Sequence, residues 1–330
     1  MVDMPVVSIV MPVARVRTFL PEALQSVLRQ SLADLEVILV DDDPNTPGLT
    51  EIVSAAGDGR ARVIPCQGRG ISDALNTGFA ASRGRFLCRC DADDLFPPDR
   101  LKEQVQFLDQ HPEYGAICGS MWAMTSKGKF VADMNGAYQT EEITDELRRG
   151  VTRSSLCTWA IRADLFRATG GFRRYFVTAE DIDLQLRIGE RSRVWYEAKM
   201  AYHYRLHDTS TTHSQPSAQR AFFDAIARKF QMQRLSQGKD DLDLGHPPAP
   251  PAADTAPRDS SATTQNLLLG ASWEKHRSGQ KVAAMRLGLQ ACLARPANFA
   301  AWRSLGALTF KRAVGKSGDP PPAGPETNPN

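Results

Sequence analysis

The chain has 330 residues, 42% hydrophobic and 24% charged, ordinary globular proportions with ample material for a core. Its 40 Lys and Arg against 38 Asp and Glu give a formal charge of +2, which excludes a dedicated nucleic-acid binder for the chain taken whole. The balance is uneven: residues 265–314 carry eight bases and one acid, Glu274, for a net of +7, whereas the first 264 residues carry 31 bases and 35 acids, for a net of −4.

In chain order, Val6 to Val13 is short and almost continuously apolar, the pattern of a buried parallel strand. Thr18 to Gln30 follows as a helix, with Leu20, Leu24, Val27 and Leu28 on one face and Pro21 in its first turn. Glu36 to Val40 is a second strand and runs into Asp41-Asp42-Asp43. Thr50 to Ala56 reads as a helix, and Ala61 to Ile64 as a third strand. Ser72 to Ser82 is a helix with Ala74, Leu75, Phe79 and Ala80 inward. Phe86 to Cys90 is a fourth strand and runs into Asp91-Ala92-Asp93-Asp94. This alternation predicts a doubly wound α/β domain, its sheet mostly parallel with helices on both faces. Ligands of such sheets bind beyond the carboxyl ends of the strands, where both acidic clusters fall.

A helix from Arg100 to about Gln110 and mixed elements to Tyr204 complete the sheet. Ala218 to Leu235 closes the domain as a long helix with Phe222, Phe223, Ile226 and Phe230 at helical spacing. The expected divisions are a catalytic-type domain over 1–237, a Pro/Ala-rich linker over 238–264, a basic helical hairpin over 265–314 and a disordered tail over 315–330. In the hairpin, Val282, Met285, Leu289 and Cys292 form one stripe. Phe299, Trp302, Leu305 and Leu308 form another, separated from the first by Arg295-Pro296.

No apolar run reaches the ~18–20 residues of a membrane span. Met1 to Pro5 has no basic stretch, so the start does not read as a secretory signal. Six cysteines make no disulfide framework. Cys88 and Cys90 read as buried thiols, and the expected compartment is the reducing cytosol.

The strongest chemical feature is Asp91, Asp93 and Asp94 at the end of an apolar strand. Three carboxylates within four residues repel one another, and a hard divalent cation would relieve that repulsion. The surrounding stretch, GRFLCRCDADDLFPPDRLKEQVQFLDQHPEYGAICGS, closely resembles the family 2 glycosyltransferases. Four further segments resemble the same family in the same order: VSIVMPV, LEVILVDDD, GRGISDALNTGFAASRGRF and GGFRRYFVTAEDIDLQLR. A closing YRLHDTSTT completes a match over most of residues 5 to 210.

The resemblance implies a GT-A fold and a nucleotide-sugar donor, UDP-linked, bound through Mn²⁺ or Mg²⁺. It implies inverting transfer to an acceptor hydroxyl, in bacterial surface polysaccharide or glycolipid synthesis. Carried over by residue, Asp42 contacts the base, Asp91 the ribose or the metal, and Asp93 ligates the metal. Pro12, Gly70 and Asn76 line the donor pocket. Asp181 is the general base, which takes the acceptor proton as the oxygen attacks, and Asp183 supports it. His207 contacts the metal or the diphosphate, or Arg205 instead makes the phosphate contact. Glu180 lies at the acceptor site, and Trp159 either shapes that site or belongs to the core. The implied partners are the donor and a glycan or lipid-linked acceptor, with no nucleic acid. The basic 265–314 module is expected to contact another protein or the inner face of a membrane.

Two departures stand out. Ala14 and Arg15 follow Pro12-Val13 where the family has an aromatic residue and Asn, and Asp43-Pro44-Asn45-Thr46 replaces the common Gly-Ser continuation. Three competing readings remain. A sugar nucleotidylyltransferase needs a Gly-rich loop after the first strand, and VMPVARVRTFL has no glycine. A dinucleotide oxidoreductase needs G-x-G-x-x-G there. A non-catalytic sugar- or partner-binding protein of the same fold is motivated by Ala14 and Arg15 and opposed by Asp91, Asp93 and Asp181.

Overall fold

The computed structural model describes residues 4–14, 18–134, 138–207, 217–252, 260–277 and 279–310. Arg15 and the 315–330 segment expected to be disordered lie outside the described residues. The chain forms two compact units, Met1–Arg258 and Asp259–Asn330.

The first unit is built on one mixed sheet. β1 (Val7–Val13), β2 (Leu35–Asp41), β3 (Ala61–Pro65) and β4 (Phe86–Arg89) are mutually parallel. They are joined through helices α1 (Leu20–Leu28), α2 (Leu49–Ala56) and α3 (Ile71–Ala80). After α4 (Arg100–Gln110), the second half adds β5 (Tyr114–Thr125), β6 (Phe130–Asp133), β7 (Glu141–Glu142), β8 (Ala160–Arg162) and β9 (Arg193–Leu206). The order is β3-β2-β1-β4-β8-β5-β9-β7, with β6 on β5. β8 lies antiparallel to both β4 and β5, whereas β5 and β9 run parallel. Helices α5 (Thr144–Arg148), α6 (Ala163–Thr169), α7 (Glu180–Arg191) and α8 (Ser217–Gln237) complete the unit.

The period-2 alternation of the strands divides the core into two layers. Val7, Ile9 and Met11 of β1 join Val37 and Leu39 of β2 beneath α1 and α4. Val10, Ile38 and Val40 point the other way, toward Leu75 and Phe79 of α3 and Leu184 and Ile188 of α7. Two polar side chains interrupt these apolar strands, Ser8 and Glu36, both buried. Ser8 Oγ donates to Glu36 Oε1 at 2.7 Å, and the Arg83 amide donates to the same oxygen at 2.7 Å. Burial opposes the charge on Glu36, but these bonds and the Arg83 guanidinium outweigh it and hold the carboxyl below its usual range.

The unit does not end at 237 as composition suggested. Beyond α8, Asp240 is fully buried between Arg173, at 2.6 Å, and Arg234, at 2.5 Å. The Tyr175 hydroxyl donates to the Pro248 carbonyl at 2.6 Å. The start of the expected linker is therefore part of the folded unit. Asp and Pro read as solvent-exposed in composition, while of the arginines that neutralise Asp240 one lies in the preceding helix and the other 67 residues away.

Among the described residues the second unit has three helices, α9 (Ser260–Arg277), α10 (Lys281–Ala294) and α11 (Phe299–Phe310). Gly279, at φ +79°, makes the first turn, in the left-handed region that glycine enters without strain. Of the apolar stripe expected on α10 only Cys292 is buried; the buried face is instead Ala284, Leu287, Gly288 and Ala291. Small side chains let the neighbouring helices approach closely. A Cβ on Gly288 would meet Leu305 and Leu308 of α11 at 3.0 and 3.2 Å. Among the described residues no helix is long and apolar enough to cross a membrane.

Candidate active site

The carboxyl ends of β1, β2 and β4 converge at one edge of the first unit. The Asp42 amide donates to the Val13 carbonyl at 2.9 Å, tying the ends of β1 and β2 together. Pro12 is half-buried opposite Val40 in this register. Asp42 Oδ1 accepts from the Gly70 amide at 3.2 Å. Gly70 has φ +81° at the entrance to α3, a conformation that any larger residue would adopt with strain.

Asn76 lies one turn into α3, and both ends of its amide are used. Nδ2 donates to the Phe172 carbonyl at 2.8 Å, and Oδ1 accepts from the Phe172 amide at 2.9 Å. Asn76 therefore clamps the loop that leads to α7 and is occupied within the fold. Ser72 Oγ adds a bond to the Phe176 carbonyl at 3.0 Å. The donor-side helix expected from the sequence thus holds the segment that carries Asp181.

The acidic turn after β4 is braced from three sides. The Asp91 amide donates to the Tyr202 hydroxyl at 3.0 Å, and Cys157 Sγ approaches Asp91 Oδ2 at 3.4 Å. Arg89 grips the Asp91 carboxylate through Nε at 2.6 Å and Nη2 at 3.1 Å. Asp93 Oδ2 lies 2.8 Å from His207 Nε2. Asp94 is buried and accepts from the Arg205 amide at 2.7 Å. Burial, with the charges of Asp93 and Asp91, pushes its carboxyl well above the usual range. Among the described residues no three His, Cys, Asp or Glu side chains converge as a ready metal cage.

α7 begins under strain. Ala179 has φ +58°, the one non-glycine residue with positive φ among those described, and it caps the helix that starts at Glu180. Glu180, Asp181 and Asp183 fill the first turn, where the helix dipole favours negative charge. Asp181 is half-buried. Its Oδ1 accepts from the Ile182 amide at 2.9 Å, and Oδ2 has no partner among the described residues. Glu180 is buried, and Arg89 Nη1 donates to its Oε1 at 3.1 Å. Burial and the neighbouring Asp181 charge raise the Glu180 carboxyl, while Arg89 opposes the rise. Arg89 thus links the acidic turn to the helix that carries Asp181, across 91 residues of sequence.

Two expected contacts fall inside the fold. Arg205 is 1% exposed: Nε donates to the Asp93 carbonyl at 2.7 Å, Nη1 to the Ser126 carbonyl, and Nη2 to Glu22 at 2.8 Å. Its guanidinium also lies over the Phe19 ring, so it braces the turn from below and is not presented to a phosphate. Trp159 is 1% exposed in the core layer of α3 and α7, which corrects its assignment to the acceptor site. A large apolar ring gains more from the core than from a wet cleft. Sequence reasoning missed Arg89. Its signal was a lone base inside the buried strand FLCRC, where an ion requires a partner.

A parallel α/β sheet with carboxylates at its strand ends and a second, mixed half is the GT-A architecture. Solved structures agree: Staphylococcus aureus TarS 1-349, crystallised in complex with UDP-GlcNAc, superposes with a TM-score of 0.57 at 16% identity, over 93% of this chain and 92% of TarS 1-349. At that identity the likeness establishes the fold. The profile of Glycosyl transferase family 2 matches residues 8–170. The chain is 31% identical over 217 residues to the uncharacterized glycosyltransferase EpsJ of Bacillus subtilis, covering 63% of each protein. It is 31% identical over 208 residues to the O-antigen biosynthesis protein RfbC of Myxococcus xanthus, covering 61% of this chain and 16% of RfbC. The chain thus spans less than two thirds of the length of these relatives. It is also 30% identical over 196 residues to the putative glycosyltransferase EpsE of Bacillus subtilis, covering 56% of this chain and 67% of EpsE. With that relative and the family profile, the chain belongs to glycosyltransferase family 2.

Proposed function

We propose that this chain is a metal-dependent, inverting glycosyltransferase that moves a hexosyl group from a UDP-sugar to an acceptor hydroxyl in surface polysaccharide or glycolipid synthesis. The observation that carries this reading is the Arg89 link, which joins the acidic turn to the first turn of α7. A single-displacement transfer needs a cation-binding group and one carboxylate base held on opposite sides of the reacting carbon. The cytoplasm is the proposed compartment.

Asp42, which accepts from the Gly70 amide, would receive the nucleotide base. Asp93 and His207 would hold the cation, and their mixed oxygen and nitrogen donors suit Mn²⁺ better than Mg²⁺, which favours oxygen alone. Two protein donors leave the rest of the shell to a diphosphate and water, as is usual for phosphate-bound cations. When bound, the cation offsets charge on the departing diphosphate. Asp91 stays with Arg89, on the ribose side of the turn.

Asp181 accepts the acceptor's proton on Oδ2 while the Ile182 amide fixes Oδ1. It stands in the first turn of α7, where the helix dipole favours negative charge. The proton leaves with Asp181, the acceptor oxygen forms the new bond to the anomeric carbon, and the bond to the diphosphate breaks. UDP as the carrier is supported by the TarS complexes with UDP-GlcNAc and UDP, and the polysaccharide setting by RfbC.

The test is hydrolysis of a panel of UDP-, GDP- and dTDP-sugars with and without Mn²⁺. The expected result is Mn²⁺-dependent release of UDP, reduced by at least about a hundredfold in Asp93→Ala. A pure, folded chain that neither binds UDP nor hydrolyses any nucleotide sugar with metal present would remove the catalytic reading.

A further inference from the structure

α10 buries a face made mostly of small residues. On α10 the small residues Ala284, Gly288 and Ala291 face its neighbours, while Val282, Met285, Leu289 and Leu293 are 84%, 38%, 45% and 62% exposed. At 3.6 residues per turn these four side chains fall within an arc of about 80°. Exposed Arg286 stands at one edge, and Lys281, whose Nζ donates to the Thr309 carbonyl at 2.8 Å, stands at the other. On α11, Phe299 and Phe310 are 80% and 91% exposed, and Arg303 lies between them. A helix packed in a globular core shows the reverse arrangement, large apolar residues inward.

We propose that these exposed apolar side chains of the second unit dock on an anionic lipid bilayer. Large aliphatic and aromatic side chains bordered by Lys and Arg are the composition of an interfacial helix. The apolar arc enters the acyl boundary, and the basic side chains extend their heads to the lipid phosphates. The charge of 265–314, +7 with Glu274 as its one acid, fits a negative surface and opposes pairing with a second copy of the same face. The apolar arc itself offers no hydrogen-bonding groups to position a protein partner. The docking brings the chain to a surface and does not depend on the catalytic reading.

The experiment uses the full chain with vesicles of phosphatidylcholine alone or mixed with phosphatidylglycerol, read by co-sedimentation. The wild-type chain is expected to bind the mixed vesicles, to leave phosphatidylcholine vesicles unbound, and to be released by high salt. Val282→Glu/Leu289→Glu/Leu293→Glu is expected to abolish binding. Arg286→Glu/Arg303→Glu, which leaves the apolar arc intact, is expected to weaken binding by about 25-fold or more, at roughly fivefold per basic residue near the surface. Circular dichroism checks that each variant keeps its helices, and the arginine pair decides the matter if the triple variant does not. Absence of binding to the mixed vesicles overturns the proposal. So does equal binding by the arginine variant, or a dimer in solution that the triple variant splits while vesicles bind nothing.

Discussion

Two carboxylates two residues apart on α7 have opposite surroundings. Asp183 is fully buried and saturated: Arg173 grips both of its oxygens, and Arg187 adds a hydrogen bond at 2.9 Å and an ion-pair contact at 2.8 Å. Asp181 is half-buried, accepts one backbone hydrogen bond and keeps its second oxygen unpaired among the described residues. Around Asp183 the pattern extends through Arg234, which links Asp240 to Glu190. The difference teaches how the fold divides its charges. Carboxylates neutralised by arginine hold elements together, and carboxylates left short of partners remain open to a substrate.

The comparison breaks most visibly if Asp181→Asn is harmless. Loss of a general base is worth about 10²–10⁴ in rate, so the variant should lose roughly a thousandfold in kcat. Its melting temperature should stay near wild type, because a half-buried side chain with one local bond contributes little to stability. Asp183→Asn should do the opposite. Removing one partner of a buried ion pair costs about 3–5 kcal/mol, which for a unit of this size lowers the melting temperature by roughly 10 °C. Calorimetry beside kinetics per folded molecule separates the two. If Asp183→Asn loses activity without losing stability, the division fails.

Much of this arrangement was legible in the sequence. The apolar runs of β1 and β2, the periodicity of α1 and α3, and the acids after β2 and β4 are local patterns, and the structure forms those elements there. Pairings between distant residues were not legible. Arg205 reads as an exposed base beside a histidine, and only the fold reveals Glu22 and the Asp93 and Ser126 carbonyls waiting for it. Asp240 reads as part of a polar linker because its two arginines lie six and 67 residues away. On α10 the stripe was chosen by hydrophobicity, whereas close helix packing selected small size. Trp159 shows the same limit: composition locates an aromatic residue but not which side of the sheet it enters.

Arg89 sharpens the comparison, since it belongs to both kinds of network. It neutralises Asp91 as a structural arginine would, yet its other partner, Glu180, adjoins Asp181. Arg89→Met should lower kcat by about 10–100-fold through misplacement of α7 relative to the turn, with donor KM changed by less than about threefold. Arg89→Lys should recover part of the loss. Arg89→Met/Glu180→Gln, which removes the more buried of the two charges left behind, should recover part of the stability but not the rate. Equal kcat in wild type and Arg89→Met would assign Arg89 to stability alone.

The smallest effect concerns pH and the structural side of the division. Asp240 is fully buried, and burial alone would disfavour its charge. Hydrogen bonds from Arg173, the Asp243 amide and Arg234 outweigh that penalty and hold its carboxyl below the ordinary 3.8. Glu36 is likewise held below 4.5. A carboxyl with a depressed value in the folded state binds its proton more weakly there than in the unfolded chain. Its contribution is therefore complete above the unfolded value and is lost as pH falls through the folded one. The first unit should accordingly weaken on acidification below about pH 4.5, with Glu36 and then Asp240 giving up their share. Asp240→Asn should be less stable than wild type at neutral pH, because Arg173 and Arg234 lose a partner, and its stability should fall less steeply between pH 4 and 2. Urea unfolding at a series of pH values measures both slopes. Identical slopes would mean that the Asp240 network contributes no proton-linked stability, and the contrast between saturated and unsaturated carboxylates would then rest on Asp183 alone.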